Sequence, residues 1–368
     1  MIIKINEISK DWLIQASHIL KNGGIVAFPT ETVYGLAAMP GVPGAIDKLN
    51  VLKTRPSEKP YTLHIGSVSK IREYVPNPPF AARILARKAL PGPITLVMEL
   101  SEGDIALCRA KYGPIFDKLY HENTLGIRCP DHPVSIALLN AIDGPVVAPS
   151  ANPASEPPSI NAEQVERYFG NRVDMILDGG ESQYHKASTV IKFSPAGKIN
   201  ILREGVIDRR TIEKMSGLNI LFVCTGNTCR SPMAEALAKR ILSQMFGISA
   251  EELPRHNISI KSAGVMASQG MPASDAAVRI MRQLGLDISN HQSNPVTPSL
   301  VRQADLIYVM SQEHKDFLNN LVPEAANRIK LLSETFVSDP IGGSDQVYLD
   351  CALQISKLIE ARLKEEFE

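Results

Sequence analysis

The chain has 368 residues, more than one compact domain usually holds, so two domains are expected. Lys plus Arg and Asp plus Glu each number 39, which leaves no overall basic field of the kind that gathers nucleic acid. Five cysteines (Cys108, Cys129, Cys224, Cys229 and Cys351) are odd in number and irregularly spaced, which excludes a disulfide framework; with no apolar run of about 18 residues and no secretory pattern in MIIKINEISKDW, the chain reads as soluble, cytoplasmic and without a membrane partner.

DWLIQASHILKNGG (11–24) spaces its apolar residues as an amphipathic helix does and ends on a glycine pair, a common helix stop. IVAFPT (25–30) then reads as a short buried strand, as do ITLVMEL (94–100), PVVAPS (145–150), VDMILDGG (173–180) and STVIKF (188–193). SIALLNAID (135–143) and AEQVERYFG (162–170) read as helices. Residues 207–217 are polar and end on a glycine, and are expected to link the two domains, 1–206 and 218–368. A fresh unit opens with strand LNILFV (218–223), a loop and helix SPMAEALAKRILSQMFG (231–247). Helix SDAAVRIMRQLG (274–285), strand ADLIYVM (304–310) and a last helix over 346–367 follow. Such alternation predicts an α/β chain whose C-terminal domain is a doubly wound parallel sheet.

In the N-terminal domain, FPTETVYGL (28–36), KTRPSEKPYTLHI (53–65), PGPITLV (91–97), TLGIRCPDHP (124–133), APSANPASEPP (148–158), KASTVI (186–191) and ILREG (201–205) place hydroxyls or cations at strand ends and loops. Lys53, Arg55 and Lys59 are close in sequence, and Arg128 and Arg203 could converge with them to hold a polyphosphate. Ser150 and Asn152 could reach phosphate oxygens or a ribose. There is no Walker A motif and no dinucleotide fingerprint, so a nucleotide here is held in another way.

Taken together and in this order, these stretches resemble the threonylcarbamoyl-AMP synthase family of the Sua5/YciO/YrdC type over residues 5–206, with its Lys-x-Arg and Ser-x-Asn signatures at Lys53-Thr54-Arg55 and Ser150-Ala151-Asn152. The resemblance implies a twisted mixed-sheet domain. It implies that L-threonine and bicarbonate form a carbamate that attacks the α-phosphorus of ATP, bound with Mg²⁺, and releases pyrophosphate. The adenylate would serve partner proteins that modify the adenosine beside the anticodon of tRNA; direct tRNA contact is left open. By matching position, Thr32, His64, Arg128 and Ser188 would hold threonine. Lys53, Arg55, Lys59, Thr124, Ser150, Asn152 and Arg203 would hold ATP. Pro158 and Lys59 stand where many relatives place serine and asparagine, and the long synthases carry a different C-terminal domain from the one here.

CTGNTCRSP (224–232) follows a strand and opens a helix. Its backbone can turn several N–H groups onto an anion, and the helix adds its positive end. Gly226 allows the tight turn. Arg230 can grip two phosphoryl oxygens, and Cys224 beneath them is placed as a nucleophile whose anion this positive field favours. Asp339, before Pro340 in a loop, is the candidate acid for the leaving group. Residues 218–368 are similar to the low-molecular-weight protein phosphatases, carried by VCTGNTCRSPMAEAL (223–237), SAGV (262–265), ISNHQS (288–293), ADLIYVM (304–310) and DPIGGS (339–344). The resemblance implies Cys224 as nucleophile, Arg230 as transition-state clamp, Asp339 as acid then base, a phosphocysteine intermediate on phosphorylated proteins, and no metal. The phosphate loop would be Thr225, Gly226, Asn227, Thr228, Cys229 and Ser231, with Asn227 and Ser231 supporting the sulfur.

Tyrosine-specific members usually carry an aliphatic residue at the place of Thr228 and an aromatic pair where Ile341 and Gly342 stand. A phenyl ring gains from aromatic walls and a guanidinium does not need them, so the pattern resembles the protein-arginine phosphatase branch. Phosphotyrosine specificity, with an N-terminal RNA-binding module or scaffold, is the alternative. An arsenate-reducing branch needs resolving cysteines downstream, and 285–315 holds none. Under oxidation Cys229 could pair with Cys224.

Overall fold

The computed structural model describes residues 1–54 and 60–367. The chain divides into two units, Met1–Met215 and Ser216–Glu368. Among the described residues no helix is long and apolar enough to cross a membrane.

The first unit holds two mixed sheets. One orders its strands Ile2–Lys4, Met175–Asp178, Val26–Phe28 and Gly35–Ala37, the last antiparallel to its neighbour. The helix Lys10–Lys21 lays Trp12, Ala16 and Leu20, four apart and so on one face, onto Val26, Phe28, Met175 and Leu177 of this sheet. The second sheet runs Ile199–Arg203, Thr189–Phe193, Ile94–Glu99, Thr124–Arg128, Leu63–His64 and Val146–Val147. Bridges from Gly35 to Ser150 and from Ala38 to Val147 bring the end of this sheet against the 28–36 stretch. The strand Val146–Val147 is shorter than the apolar run around it suggests, because Pro145 and Pro149 cannot donate to a ladder. Residues 207–217, read from the sequence as a linker, contain the helix Arg209–Met215, which lies within the first unit and buries Ile212.

The second unit is built on one parallel sheet in the order Ile258–Gly264, Leu218–Cys224, Leu306–Val309, Ile329–Leu331. Leu221, Val223, Ile307 and Val309 turn to one face, against Val301 and Leu318 of the helices Pro298–Gln303 and Gln312–Leu321. Alternate residues Phe222 and Tyr308 turn to the other and stack with ring centres 5.7 Å apart. The helices Arg230–Phe246 and Asp345–Phe367 pack together, with Phe246 edge-on to Phe367. The chain's second strand in this sheet goes to one side of Leu218–Cys224 and its third to the other. The carboxyl end of Leu218–Cys224 is therefore a topological switch point, where open α/β sheets leave a crevice for ligands.

Phe222 is fully buried. Phe222→Ala is expected to cost about 3–5 kcal/mol, read as a lower urea midpoint for the transition of the second unit with that of the first unit unmoved.

Two candidate active sites

In the first unit a cavity of about 250 Å³ opens where the second sheet meets the 28–36 and 148–150 stretches. His64 and Arg128 end adjacent parallel strands and are register partners, so both reach the cavity from the same sheet edge. Arg128 is 6% exposed. One terminal nitrogen donates to Thr32 Oγ1 at 2.5 Å, Glu31 Oε1 at 2.9 Å and Thr30 Oγ1 at 3.3 Å. Its Nε–H is buried with no hydrogen-bond partner among the described residues. Glu31 is held in turn by the backbone N–H of Asp131, which donates to Oε2 at 3.0 Å. A buried polar group without a partner is costly, and a guanidinium edge left so is complementary to an incoming carboxylate or phosphate.

Arg203 comes from the neighbouring end of the sheet and donates through Nε and a terminal nitrogen to Ser188 O at 3.2 and 2.9 Å. Burial and then the charge of Arg128 push its pKa down, so two like charges face one cavity with Glu31 as their buried counter-charge. Ser188 Oγ lies 2.9 Å from Thr95 Oγ1. Gly205 permits this approach, since a Cβ there would lie 2.2 Å from Ala187 O and 2.5 Å from Ser188 O. His64 Nδ1 lies 3.1 Å from Thr62 O, a pure acceptor, so Nδ1 carries the proton and Nε2 keeps its lone pair. Burial first, then Arg128, lowers the His64 pKa to about 3, and the ring is neutral.

The cavity thus gathers His64, Arg128, Ser150, Ser188 and Arg203, with Thr32 joined through Arg128. Lys53 acts from behind. Its ammonium donates to the carbonyls of Ser150 at 2.5 Å and Asn152 at 2.7 Å, while Ser150 Oγ donates to Asn152 Oδ1 at 2.6 Å. Asn152 spends its amide on Pro153 O and Glu156 O. Lys53 and Asn152 therefore brace the turn that presents Ser150. Thr124 begins the strand that Arg128 ends, about 13 Å away at ~3.3 Å per residue, and does not line this cavity. Arg55 and Lys59 lie outside the described residues. Sequence reading missed Glu31 and Thr95. Glu31 had a signal in its place between two hydroxyl residues; Thr95, inside an apolar strand, had none.

In the second unit Cys224 is the last residue of its strand and Arg230 the first of the helix Arg230–Phe246. The backbone N–H of Asn227 points at Cys224 Sγ, 3.3 Å away, and Ser231 Oγ lies 2.9 Å from it. Asn227 Nδ2 donates to Ser231 Oγ at 2.9 Å, and the Ser231 proton has the sulfur at 2.9 Å and Ala263 O at 3.4 Å as acceptors, the sulfur being the nearer. Asn227 adopts φ 55°, a left-handed turn that asparagine tolerates. It is held there by Asn294 N–H to Oδ1 at 2.8 Å and by His291 Nε2–H to its carbonyl at 2.8 Å. The loop lies on the neighbouring strand, where Val265 and Met266 donate to the carbonyls of Cys224 and Thr225 at 3.0 and 2.9 Å.

Arg230 is ion-paired with Asp339, whose side chain is 43% exposed against 8% for that of the arginine. Ile341 N–H donates to Asp339 Oδ1 at 3.2 Å. Thr228 and Cys229 close the loop, with Cys229 Sγ 3.3 Å from Ser274 Oγ and 3.4 Å from Tyr348 Oη. All five cysteines are thiols. Cys351, on the last helix, is pushed up to about 12 by burial, which suits an inert core thiol. His291 and Asn294 were missed as loop supports; His291 sits inside ISNHQS (288–293), which was singled out without a role.

A family model described as "Telomere recombination" (Sua5/YciO/YrdC) matches residues 18–205. A second, described as "Low molecular weight phosphotyrosine protein phosphatase", matches 219–366. A threonylcarbamoyl-AMP synthase of Pyrococcus abyssi is 30% identical over 269 residues, covering 73% of this chain and 76% of its own. A protein-arginine-phosphatase of Bacillus subtilis is 35% identical over 154 residues, covering 40% of this chain and 96% of its own. A solved structure of a P. abyssi Sua5 variant shares the fold at 22% identity, TM-score 0.50, over 90% of this chain and 98% of that one.

A Cβ on Gly264 would lie 2.5 Å from Thr225 O and 2.9 Å from Asn227 N. Gly264→Ala is therefore expected to displace the loop, lowering kcat/KM for p-nitrophenyl phosphate at least about tenfold and stability by about 1–3 kcal/mol, checked by steady-state kinetics and thermal melting.

Proposed function

The chain belongs to the Sua5/YciO/YrdC family and to the low-molecular-weight phosphatases, and we propose that it is an enzyme with two activities. One makes threonylcarbamoyl-AMP from ATP, L-threonine and bicarbonate, and the other removes phosphate from phosphoarginine in proteins. The observation that carries the first is the cavity that gathers the buried Arg128 and a second guanidinium, Arg203, with neutral His64 and Ser188, an arrangement suited to a carboxylate and a phosphate chain. The observation that carries the second is the loop that converges donors on the Cys224 sulfur next to Arg230.

In the synthase site Arg128, with Thr32, takes the threonine carboxylate, and neutral His64 offers Nε2 as an acceptor to the amine or hydroxyl. Ser188 completes the threonine end. Ser150, Arg203 and, outside the described residues, Arg55 and Lys59 take the nucleotide; Lys53 and Asn152 serve by shaping the turn. Once the amine has formed a carbamate, its oxygen attacks the α-phosphorus, and the bond to the β-phosphate bridging oxygen breaks with that electron pair leaving on pyrophosphate. Among the described residues no group of three or more His, Cys, Asp or Glu side chains is placed to hold a metal ion. The donor set thus fits a Mg²⁺ carried by the triphosphate rather than by a protein cage; when bound it would neutralise phosphate charge. The adenylate is then a substrate for proteins that modify tRNA.

In the phosphatase site the phosphoryl group displaces Asp339 from Arg230. Cys224 attacks phosphorus, the P–N bond breaks, and the leaving nitrogen takes a proton from Asp339. Asp339 then takes a proton from water, which attacks phosphocysteine and releases phosphate and the thiolate. Thr228 and the absence of rings at Ile341 and Gly342 favour a guanidinium over a phenyl group.

Pyrophosphate release is expected only when ATP, L-threonine and bicarbonate are all present, and Arg128→Gln should lower it about a hundredfold; release without threonine would overturn the synthase reading. Cys224→Ser should abolish phosphatase turnover while pyrophosphate release persists, and loss of both would overturn the assignment of separate sites. With the unaltered chain, kcat/KM should be higher for phosphoarginine than for phosphotyrosine; the reverse order would keep the Cys–Arg–Asp chemistry and remove the role given to Thr228.

A further inference from the structure

Beside the phosphate loop lies a buried imidazole that the scheme above does not use. His314 is 4% exposed, in the first turn of the helix Gln312–Leu321. Its Nδ1 lies 2.9 Å from Ser311 Oγ, the helix cap, and its Nε2 lies 3.0 Å from Thr225 Oγ1. Thr225 is the residue after the nucleophile, and its Oγ1 also receives a long 3.5 Å contact from a terminal nitrogen of Arg230.

Proton accounting gives this chain a direction. A guanidinium only donates, so Thr225 Oγ1 presents a lone pair to Arg230. The Thr225 proton then needs an acceptor, and the Nε2 lone pair of a neutral imidazole is within reach. Nδ1–H is left for Ser311 Oγ. Donation therefore runs from Arg230 to Thr225, to His314, to Ser311. Burial first and the charge of Arg230 second push the His314 pKa down, against the upward pull of Glu313 and Asp339, so the lone pair is present at neutral pH.

The other contacts of Arg230 do not survive catalysis in the same way. They run to Asp339 and, at 3.4 Å, to Val337 O, both on the loop that carries the acid. Asp339 must let go when a phosphoryl group arrives, whereas Thr225 belongs to the phosphate loop itself. We infer that His314 is a positioning residue of the phosphatase site, fixing the Thr225 hydroxyl as an acceptor and so aiming the Arg230 guanidinium at the phosphoryl group. The inference rests on the phosphatase reading and adds to it a residue that touches neither substrate nor sulfur.

The test is a double-mutant cycle on the full chain with p-nitrophenyl phosphate, Cys224→Ser setting the background. A wild-type rate no higher than that background overturns the phosphatase reading, and the inference with it. With activity present, Thr225→Val and His314→Leu should each lower kcat/KM about tenfold, chiefly in kcat. The double variant should be no worse than the poorer single one. His314→Gln, whose amide oxygen can accept where Nε2 does, should recover most of the loss, a recovery that a packing role would not produce. Multiplying losses in the double variant, or His314→Gln as poor as His314→Leu at equal melting temperature, would overturn the inference. Thr225→Val is nearly isosteric and keeps the test decisive should His314→Leu fail to fold: wild-type kcat/KM in that variant alone would also overturn it.

Discussion

A buried guanidinium has to be matched by negative charge, and each unit of this protein is arranged around one such match. Arg128 and Arg230 are almost equally buried, at 6% and 7% exposed. Among the described residues each has a single carboxylate partner, but the partners differ in kind. Glu31 is itself buried and tied to the backbone of Asp131, so it stays with Arg128 whatever else binds. Asp339 is exposed and sits in a loop, so an arriving anion can take its place. A fixed partner suits a site that must hold a carboxylate still while other atoms react. A replaceable partner suits a site whose carboxylate has to move protons once the arginine has turned to the substrate.

Both sites also depend on backbone brought unusually near to backbone. Gly205 lets the strand carrying Arg203 pass against Ser188, and Gly264 lets a strand lie under the phosphate loop. Polar side chains then set the loops. Lys53 and Asn152 hold the turn at Ser150, and His291 and Asn294 hold Asn227 in its left-handed conformation. In these places side chains that could serve as ligands serve as scaffolding for the turn or loop beside them.

This division explains what could be read in advance. Apolar runs such as LNILFV and ITLVMEL mark strands because central strands are buried on both faces. The strand Ile258–Gly264 escaped because it lies at the sheet edge, where Ser259 and Lys261 interrupt the pattern. Cys224 and Arg230 could be picked out because a nucleophile and a clamp call for those residue types at that short spacing, and Asp339 because it stands before a proline; the fold brings Asp339 onto Arg230. Arg128 and Arg203 were legible as cations at strand ends, but their convergence depends on a strand order that no local pattern encodes. Glu31, Thr95 and His314 were not legible as site residues, since a side chain that orients another group is recognised only by what it touches.

The Glu31–Arg128 pair also bears on the charge that the cavity presents. Two guanidiniums less one carboxylate leave one net positive charge among these three groups. Without Glu31 the two guanidiniums would face an anion with their full charge. With it, an anion meets one guanidinium already ion-paired and another already tethered to Ser188. A molecule that brings its negative charges on separate arms gains from both. The internal ion pair therefore braces the arginine and tempers its charge at the same time.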